Sequence, residues 1–300
     1  MSTLPTIGGA TGIPARRAAR TRPGWRSGGR LRATIVSLIL IPFCFLWIYP
    51  FLWMVSASLK TQAEIFGGLG LVPQQWQWSN YARAWTQAHI GRYFLNTVII
   101  TAASVAIVVV TTALIGYVLG RYSFPGKRAV LAFFVATVFL PEGYTIIPVF
   151  TLINTLGLGN SLWGVILGQS GGAHVIDILL FAGFFSQLPQ ELEEAALMDG
   201  AGFFRIFWQI MLPLAKPVIA TAIILQFMHS WNDFLLPLVL TLSRPELRTL
   251  AVGVYAFQGE FFTDWSGMAA AATISLLPII VIFLFLQRYF VQGIAGAVKQ

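Results

Sequence analysis

The sequence predicts an all-α integral membrane protein of six transmembrane helices with both termini cytoplasmic. Three observations predict it. Hydrophobic residues make up 57% of the 300 residues and charged residues 10%, where a soluble domain carries roughly 25% charged. The apolar residues gather into runs long enough to cross a hydrocarbon core, which takes roughly 20 residues per helix. The basic residues cluster on one set of connections, and the positive-inside rule puts that set in the cytoplasm.

Seven of the 19 Lys and Arg lie in residues 1–32, among Gly, Pro, Ser and Thr and without apolar periodicity. This segment reads as a disordered basic arm. It abuts a span, so its charge is explained by anionic lipid on the cytoplasmic side, and no nucleic-acid partner is expected. The transmembrane domain then covers 33–290. Its first span, 33–57, is too long for the core of a signal peptide, and no small-residue cleavage site follows it. The lone cysteine, Cys44, lies inside that run and can form no intrachain disulfide. The second span covers 94–119. The third covers 129–150, interrupted by Pro141, Glu142 and Gly143. The fourth covers 162–185 and carries Gln169, Ser170, His174 and Asp177. The fifth covers 214–240 and carries Gln226, His229, Ser230, Asn232 and Asp233. The sixth covers 267–290 with Pro278 inside, and a cytoplasmic tail of 291–300 follows. With the N-terminus inside, 14 Lys and Arg fall on cytoplasmic segments and 5 on external ones, with none between Arg128 and Arg205.

That topology places the connection 188–213 inside the cell. Its segment "ELEEAALMDG" reads as a short helix. Pro189 suits a first turn. Glu191, Glu193 and Glu194 favour the positive end of the macrodipole, and Gly200 suits the left-handed residue that ends a helix. Leu192, Ala195, Ala196 and Asp199 fall on one face. An acidic helix fits an anionic leaflet poorly, so it reads as a docking helix for a protein partner.

The stretch "EAALMDGAGFFRIFWQIMLP" resembles the signature loop of binding-protein-dependent ABC transporter permeases: Glu-Ala-Ala, three residues, Gly, nine residues, Ile-x-Leu-Pro. Glu194, Ala195, Ala196, Gly200, Ile210, Leu212 and Pro213 stand at those positions, with Asp199 before the glycine. "WQWSNYARAW", "YFLNTVIIT", "LGLGNSLWGVIL", "HSWNDFLLPLVL" and "QRYFVQGIAGAVKQ" resemble, in order, stretches of the carbohydrate-uptake branch and of the smaller permease subunit of maltose-type importers. The likeness runs from residue 31 to 300. It implies that the loop forms a coupling helix seated in a cleft of a cytoplasmic ATPase. Glu194 would pair with a basic residue there, the alanines would allow close approach, and Gly200 would make the turn. Glu191 and Glu193 are expected to be solvated. The resemblance also implies two ATPase subunits, a second permease that is a different chain, and an extracytoplasmic solute-binding protein. The external segments "QQWQWSNY" and 243–265 would meet that binding protein.

Intramembrane polar residues are costly and usually face a bundle interior or a wet cavity. Gln226, His229, Ser230 and Asp233 form one stripe on the fifth span, flanked by Trp231 and Asn232. With Asn96 and Glu142 they make the expected substrate path, although side chains of this kind also serve as interhelical glue. Their mixture of donors, acceptors and aromatics suits a neutral polyol.

The chain is not expected to be an enzyme. A phosphate-binding loop requires G-x-x-x-x-G-K-[ST]. "GRYSFPGKR" has five residues between its glycines and ends on Arg128, so ATP and Mg are expected on a separate ATPase and no cofactor on this chain. His89, His174 and His229 have no metal spacing. "GQSGG" fits the letters of a nucleophile elbow, and of rhomboid proteases, but sits inside a span without a placed histidine, and small residues for helix packing explain it. Two other readings stay open at this level. One is a permease for amino acids, peptides or polyamines, suited by Asp177 and Asp233. The other is an ion-coupled secondary transporter using Glu142, Asp177 and Asp233, whose expected inverted repeat is not evident.

Overall fold

A computed structural model describes residues 26–140, 143–172, 174–255, 257–258 and 263–297, with backbone alone at 26–32 and 288–297. The expected arm thus lies largely outside the described residues, as do Pro141 and Glu142. The chain divides into two units, 1–50 and 51–300. Helix α1, Arg26–Ala57, contains Pro42 and Pro50, and the division falls at the second of them.

The remaining elements are α2 (Gln62–Phe66), α3 (Ser79–Thr86), α4 (Ile90–Arg121), α5 (Lys127–Thr137), α6 (Ile146–Thr155), α7 (Leu162–Ser170), α8 (Val175–Ser186) and α9 (Glu191–Met198). Then follow α10 (Phe203–Ile206), a π turn (Phe207–Met211), α11 (Leu212–Leu214), α12 (Lys216–Asn232), α13 (Leu235–Leu240), a 3-10 turn (Pro245–Leu247), α14 (Leu250–Tyr255) and α15 (Trp265–Ala297). Among the described residues every regular element is helical. Stretches within α1, α4 and α15 are long and apolar enough to cross a membrane. The count rises to five if each bent pair, Leu162–Ser170 with Val175–Ser186 and Phe203–Leu214 with Lys216–Asn232, is one span. The pairs bend by 53° and 81°. The fold is therefore an all-α, multi-pass membrane architecture.

Three expected spans are not continuous helices. The run 162–185 bends between α7 and α8. The run 129–150 parts between α5 and α6, each too short to cross alone, where the interruption at 141–143 is expected. The run 214–240 is broken after Asn232, where Asp233 takes extended dihedrals (φ −63°, ψ 121°) before α13 begins. The break after Asn232 falls in the polar stretch HSWND, which a continuous span with a polar stripe would also carry.

Helix α4 is the central element of the second unit. It packs against α8, α12, α7 and α14. Its hydroxyls turn inward on their own helix: Thr97, Thr111 and Thr112 donate to the carbonyls four residues earlier at 2.9, 2.8 and 2.7 Å, which satisfies them in apolar surroundings. The face toward α8 is opened by Gly116 and Gly120. A Cβ on Gly116 would lie 2.4 Å from Phe181 Cβ, and one on Gly120 would lie 2.7 Å from the Ala182 carbonyl. This is the small-xxx-small spacing that brings membrane helices into backbone contact.

Three apolar clusters follow α4 along its length. Near its C-terminal end, Tyr117, Phe181, Phe185, Phe207 and Met211 close round Ala196 and Ala215. Along its middle, Ile100 meets Ile153, Val165, Ile166 and Leu240. Toward its N-terminal end, Ile90 and Tyr93 meet Phe227, Trp231, Leu250 and Ala270. At that end polar bonds stitch the connections to the helices. Asn80 Nδ2 donates to the Ser58 and Lys60 carbonyls at 3.0 Å each. The buried Lys60 ammonium donates to Gly70 O. Gln62 donates to Thr263 O and accepts from Trp265 N, and Arg83 pairs with Asp264 at 3.1 Å.

Candidate functional site

The connection 188–213 folds into α9, as its residues demand. Three acids occupy the first turn without any side-chain cap, which suits the exposed N–H groups there. Gly200 takes φ 75°. Its N–H reaches Leu197 O at 3.0 Å, and the Ala201 N–H reaches Ala196 O at 2.9 Å. This pair of bonds is the Schellman termination, and it requires a residue that tolerates positive φ. The π turn and α11 follow, ending on Pro213 and Leu214.

The signature residues are distributed on two sides of α9. Glu194, Ala195 and Asp199 are exposed, while Ala196 is buried in the cluster around Tyr117. The two alanines thus divide: Ala195 leaves an open surface and Ala196 seats the helix. Leu192, Ala195 and Asp199 line a groove of about 430 Å³ together with Arg205, Gln209 and Ile210. Ile210 and Leu212 pack against the same cluster, and Pro213 is exposed. Glu193 corrects the expectation of a solvated charge. It accepts from Tyr117 Oη at 2.7 Å and from Arg121 Nε at 2.9 Å. Sequence gives no sign of a partner so far away in the chain.

The polar residues of the fifth span centre on a residue from the fourth. Gln169 Oε1 accepts from Ser230 at 2.7 Å and from Ser104 at 3.4 Å, and its Nε2 donates to Asp233 Oδ2 at 3.0 Å. Ser230 also donates to Thr101 at 3.3 Å. His174 Nε2 lies 3.1 Å from Gln169 O, and the His174 and His229 rings meet edge to face at 6.3 Å. A cavity of about 570 Å³ opens beside this network, reached by Gln169, His174, His229, Asp233, Tyr144 and Thr145. Gln226 and Ser230 are buried and do not line it.

Other members of the expected path are engaged elsewhere. Asn96 Nδ2 donates to the Glu246 and Arg248 carbonyls at 2.9 and 3.0 Å, at the N-terminal end of α4. Trp231 stacks on Phe227 and gives its indole N–H to Ser275 O at 3.2 Å. Asn232 donates back to Met228 O at 2.8 Å. Glu142 lies outside the described residues. Gln169, Thr101 and Ser104 are the additions that reading the stripe on one span does not supply. Gln169 is visible as a polar residue in an apolar run, whereas Thr101 and Ser104 carry no such signal; their mutual contact spans three helices. In "GQSGG", a Cβ on Gly168 would lie 3.3 Å from Leu236 and Leu240, which accords with close packing. Among the described residues no group of three or more His, Cys, Asp and Glu could hold a metal ion.

A family model described as a binding-protein-dependent transport system inner membrane component matches residues 112–296. The chain is 37% identical over 262 residues to a probable ABC transporter permease, YurM, of Bacillus subtilis, covering 86% of this chain and 87% of that one. It is 35% identical over 275 residues to the diacetylchitobiose uptake system permease NgcG of Streptomyces coelicolor, covering 91% and 90%. A crystal structure of a bacterial ABC transporter involved in alginate import shares the fold, with a TM-score of 0.75 and 24% identity over 90% of this chain and all of that one. A family match over more than half of the sequence, on a fold whose helices α8 to α12 carry the signature loop, places the chain among the binding-protein-dependent inner membrane components, the non-catalytic permease subunits of ABC transporters.

Proposed function

We propose that this chain is one half of a heterodimeric translocation pore, that α9 seats an ATPase subunit, and that the cavity beside Gln169 belongs to the solute path. The chain is a membrane permease component of a carbohydrate-importing ABC system. Its relatives include permeases named for diacetylchitobiose uptake and for melibiose, raffinose and stachyose import. Two ATPase subunits carry ATP and Mg, a second permease completes the pore, and an extracytoplasmic solute-binding protein delivers the sugar. Six spans with both termini in the cytoplasm accord with the distribution of 14 Lys and Arg against 5. That orientation puts α9 inside the cell.

The observation that carries the reading is α9 itself. It is an acidic helix with Glu194, Ala195 and Asp199 exposed, closed by a glycine at φ 75°, standing between the two bent pairs of helices. A push on α9 acts on α8 directly and on α12 through the π turn and α11. The cavity suits an uncharged hydroxylated solute. Among the described residues it offers an amide, two imidazoles and one carboxylate, with apolar and aromatic side chains beside them and no Lys or Arg.

The test is reconstitution. The complex in liposomes is given its solute-binding protein and a panel of neutral oligosaccharides, amino acids and peptides, and ATP hydrolysis is followed. Stimulation by an oligosaccharide is expected. Stimulation confined to amino acids or peptides would overturn the sugar assignment.

A further inference from the structure

Arg121 ends α4, and its guanidinium holds the connection that leads into α9. Nη1 donates to Leu188 O at 2.6 Å and to Phe185 O at 3.4 Å, and Nη2 donates to Pro189 O at 3.2 Å. Nε donates to Glu193 Oε2 at 2.9 Å, and Nη2 lies 2.9 Å from the same oxygen. One turn earlier on α4, Tyr117 gives its hydroxyl to Glu193 Oε1 at 2.7 Å. The Arg121 side chain is 4% exposed and that of Glu193 17%. Tyr117 is fully buried between Phe185, Phe203 and Phe207.

This is unlike an exposed ion pair. Both carboxylate oxygens accept hydrogen bonds, and the planar guanidinium fork meets the carboxylate and three carbonyls at once. Those carbonyls belong to the C-terminal end of α8 and the link beyond it, where a helix leaves acceptors without partners. One side chain of α4 therefore fixes both how α8 ends and where α9 begins. At its other reach α4 carries Thr101 and Ser104, which bond to the Ser230 and Gln169 network. From residue 121 to 104 the helix runs about 26 Å at 1.5 Å per residue, without a break.

We infer that Arg121, together with Tyr117 and Glu193, is a positioning latch that transmits displacement of α9 to α4, and through α4 to the polar network beside the cavity. The inference rests on α9 being the ATPase seat. Without the latch, α9 can move α8 while α4 follows only through its apolar packing against α8.

The experiment uses the whole complex in liposomes and measures solute transported per ATP hydrolysed. Arg121→Gln and Glu193→Gln are each expected to lower that ratio about tenfold, within the range by which connecting residues alter coupling. The ATPase should still co-purify, and hydrolysis should proceed without solute. The double variant should be no worse than the poorer single one, because either change opens the same latch. An unchanged ratio, or strictly additive losses, would overturn the inference. If either variant fails to assemble, Tyr117→Phe decides: it keeps the ring and removes one bond to Glu193, so a two- to threefold fall in the ratio is expected, and no fall overturns the latch. A separate measurement isolates the underlying reading. In a Cys44→Ala background, Ala195→Cys should be shielded from a maleimide by the ATPase. Labelling unaffected by the ATPase removes the seat and this inference together, whereas shielding with an unchanged transport ratio removes the latch alone.

Discussion

Replacing Gly116 by alanine adds one methyl group where α4 and α8 touch backbone to backbone. The new Cβ would stand 2.4 Å from Phe181 Cβ, 3.0 Å from Ala182 N and 3.0 Å from Ile178 O. None of these atoms is the free end of a flexible side chain, so the helices themselves must separate. Overpacking of this kind costs about 1–3 kcal/mol, and contact with backbone puts Gly116 at the upper end. Alanine recovers about 1 kcal/mol of helix propensity over glycine. The net loss is about 2 kcal/mol, which corresponds to a fall in melting temperature of about 4–8 °C. Gly183 supplies the control: it lies within α8, and a Cβ there meets nothing within 4 Å. Gly183→Ala gains propensity without a clash, so its melting temperature should hold or rise slightly. The assay is thermal unfolding of the purified complex in mild detergent, followed by loss of monodisperse protein. A Gly116→Ala protein as stable as the parent would refute the close-packed α4–α8 interface. A Gly183→Ala protein that falls as far as Gly116→Ala would show that any added methyl disturbs this helix pair.

Two further predictions follow from the same geometry. Gln169→Leu leaves Asp233 Oδ2 without the amide donor and Ser230 with only its longer bond to Thr101; stranding such groups costs about 1–3 kcal/mol, so both melting temperature and uptake should fall, and an unchanged melting temperature would remove the network from the fold's support. Gly200 stands at φ 75° with open space where a Cβ would sit, so its replacement is a matter of backbone strain, about 1–2 kcal/mol for an ordinary residue. Gly200→Asn should keep solute-stimulated ATP hydrolysis and Gly200→Val should lose most of it; equal loss in both would assign the glycine to close approach by a partner instead of to its conformation.

What the sequence made legible is local or compositional. The helix α9, its acidic first turn and the left-handed Gly200 are all written in consecutive residues, because caps and terminations act over a few positions. The long helices α1, α4 and α15 follow from the length of unbroken apolar runs. The breaks after Asn232 and between α7 and α8 fall on polar stretches, HSWND and GQSGG, but polar residues in a span are equally consistent with an unbroken helix facing a wet cavity, so the polarity is legible and the break is not. The Arg121–Glu193 pair joins residues 72 positions apart, and Glu193 on its own looks like one more surface acid. Asn96 shows the converse: a polar residue at a span's entrance suggests the solute path, whereas its amide is held by the Glu246 and Arg248 carbonyls. The Gly116–Gly120 spacing was present in the chain, but the face it meets on α8 is set by tertiary packing.

The most direct test of the central reading is purification of the tagged chain in mild detergent from its native host, with the accompanying proteins identified and their ratios measured. The account predicts an ATPase in twofold ratio and one different permease chain, and it predicts that Glu194→Lys leaves the permease pair intact while the ATPase is lost. A chain that purifies alone and moves solute in liposomes on an ion gradient would contradict it.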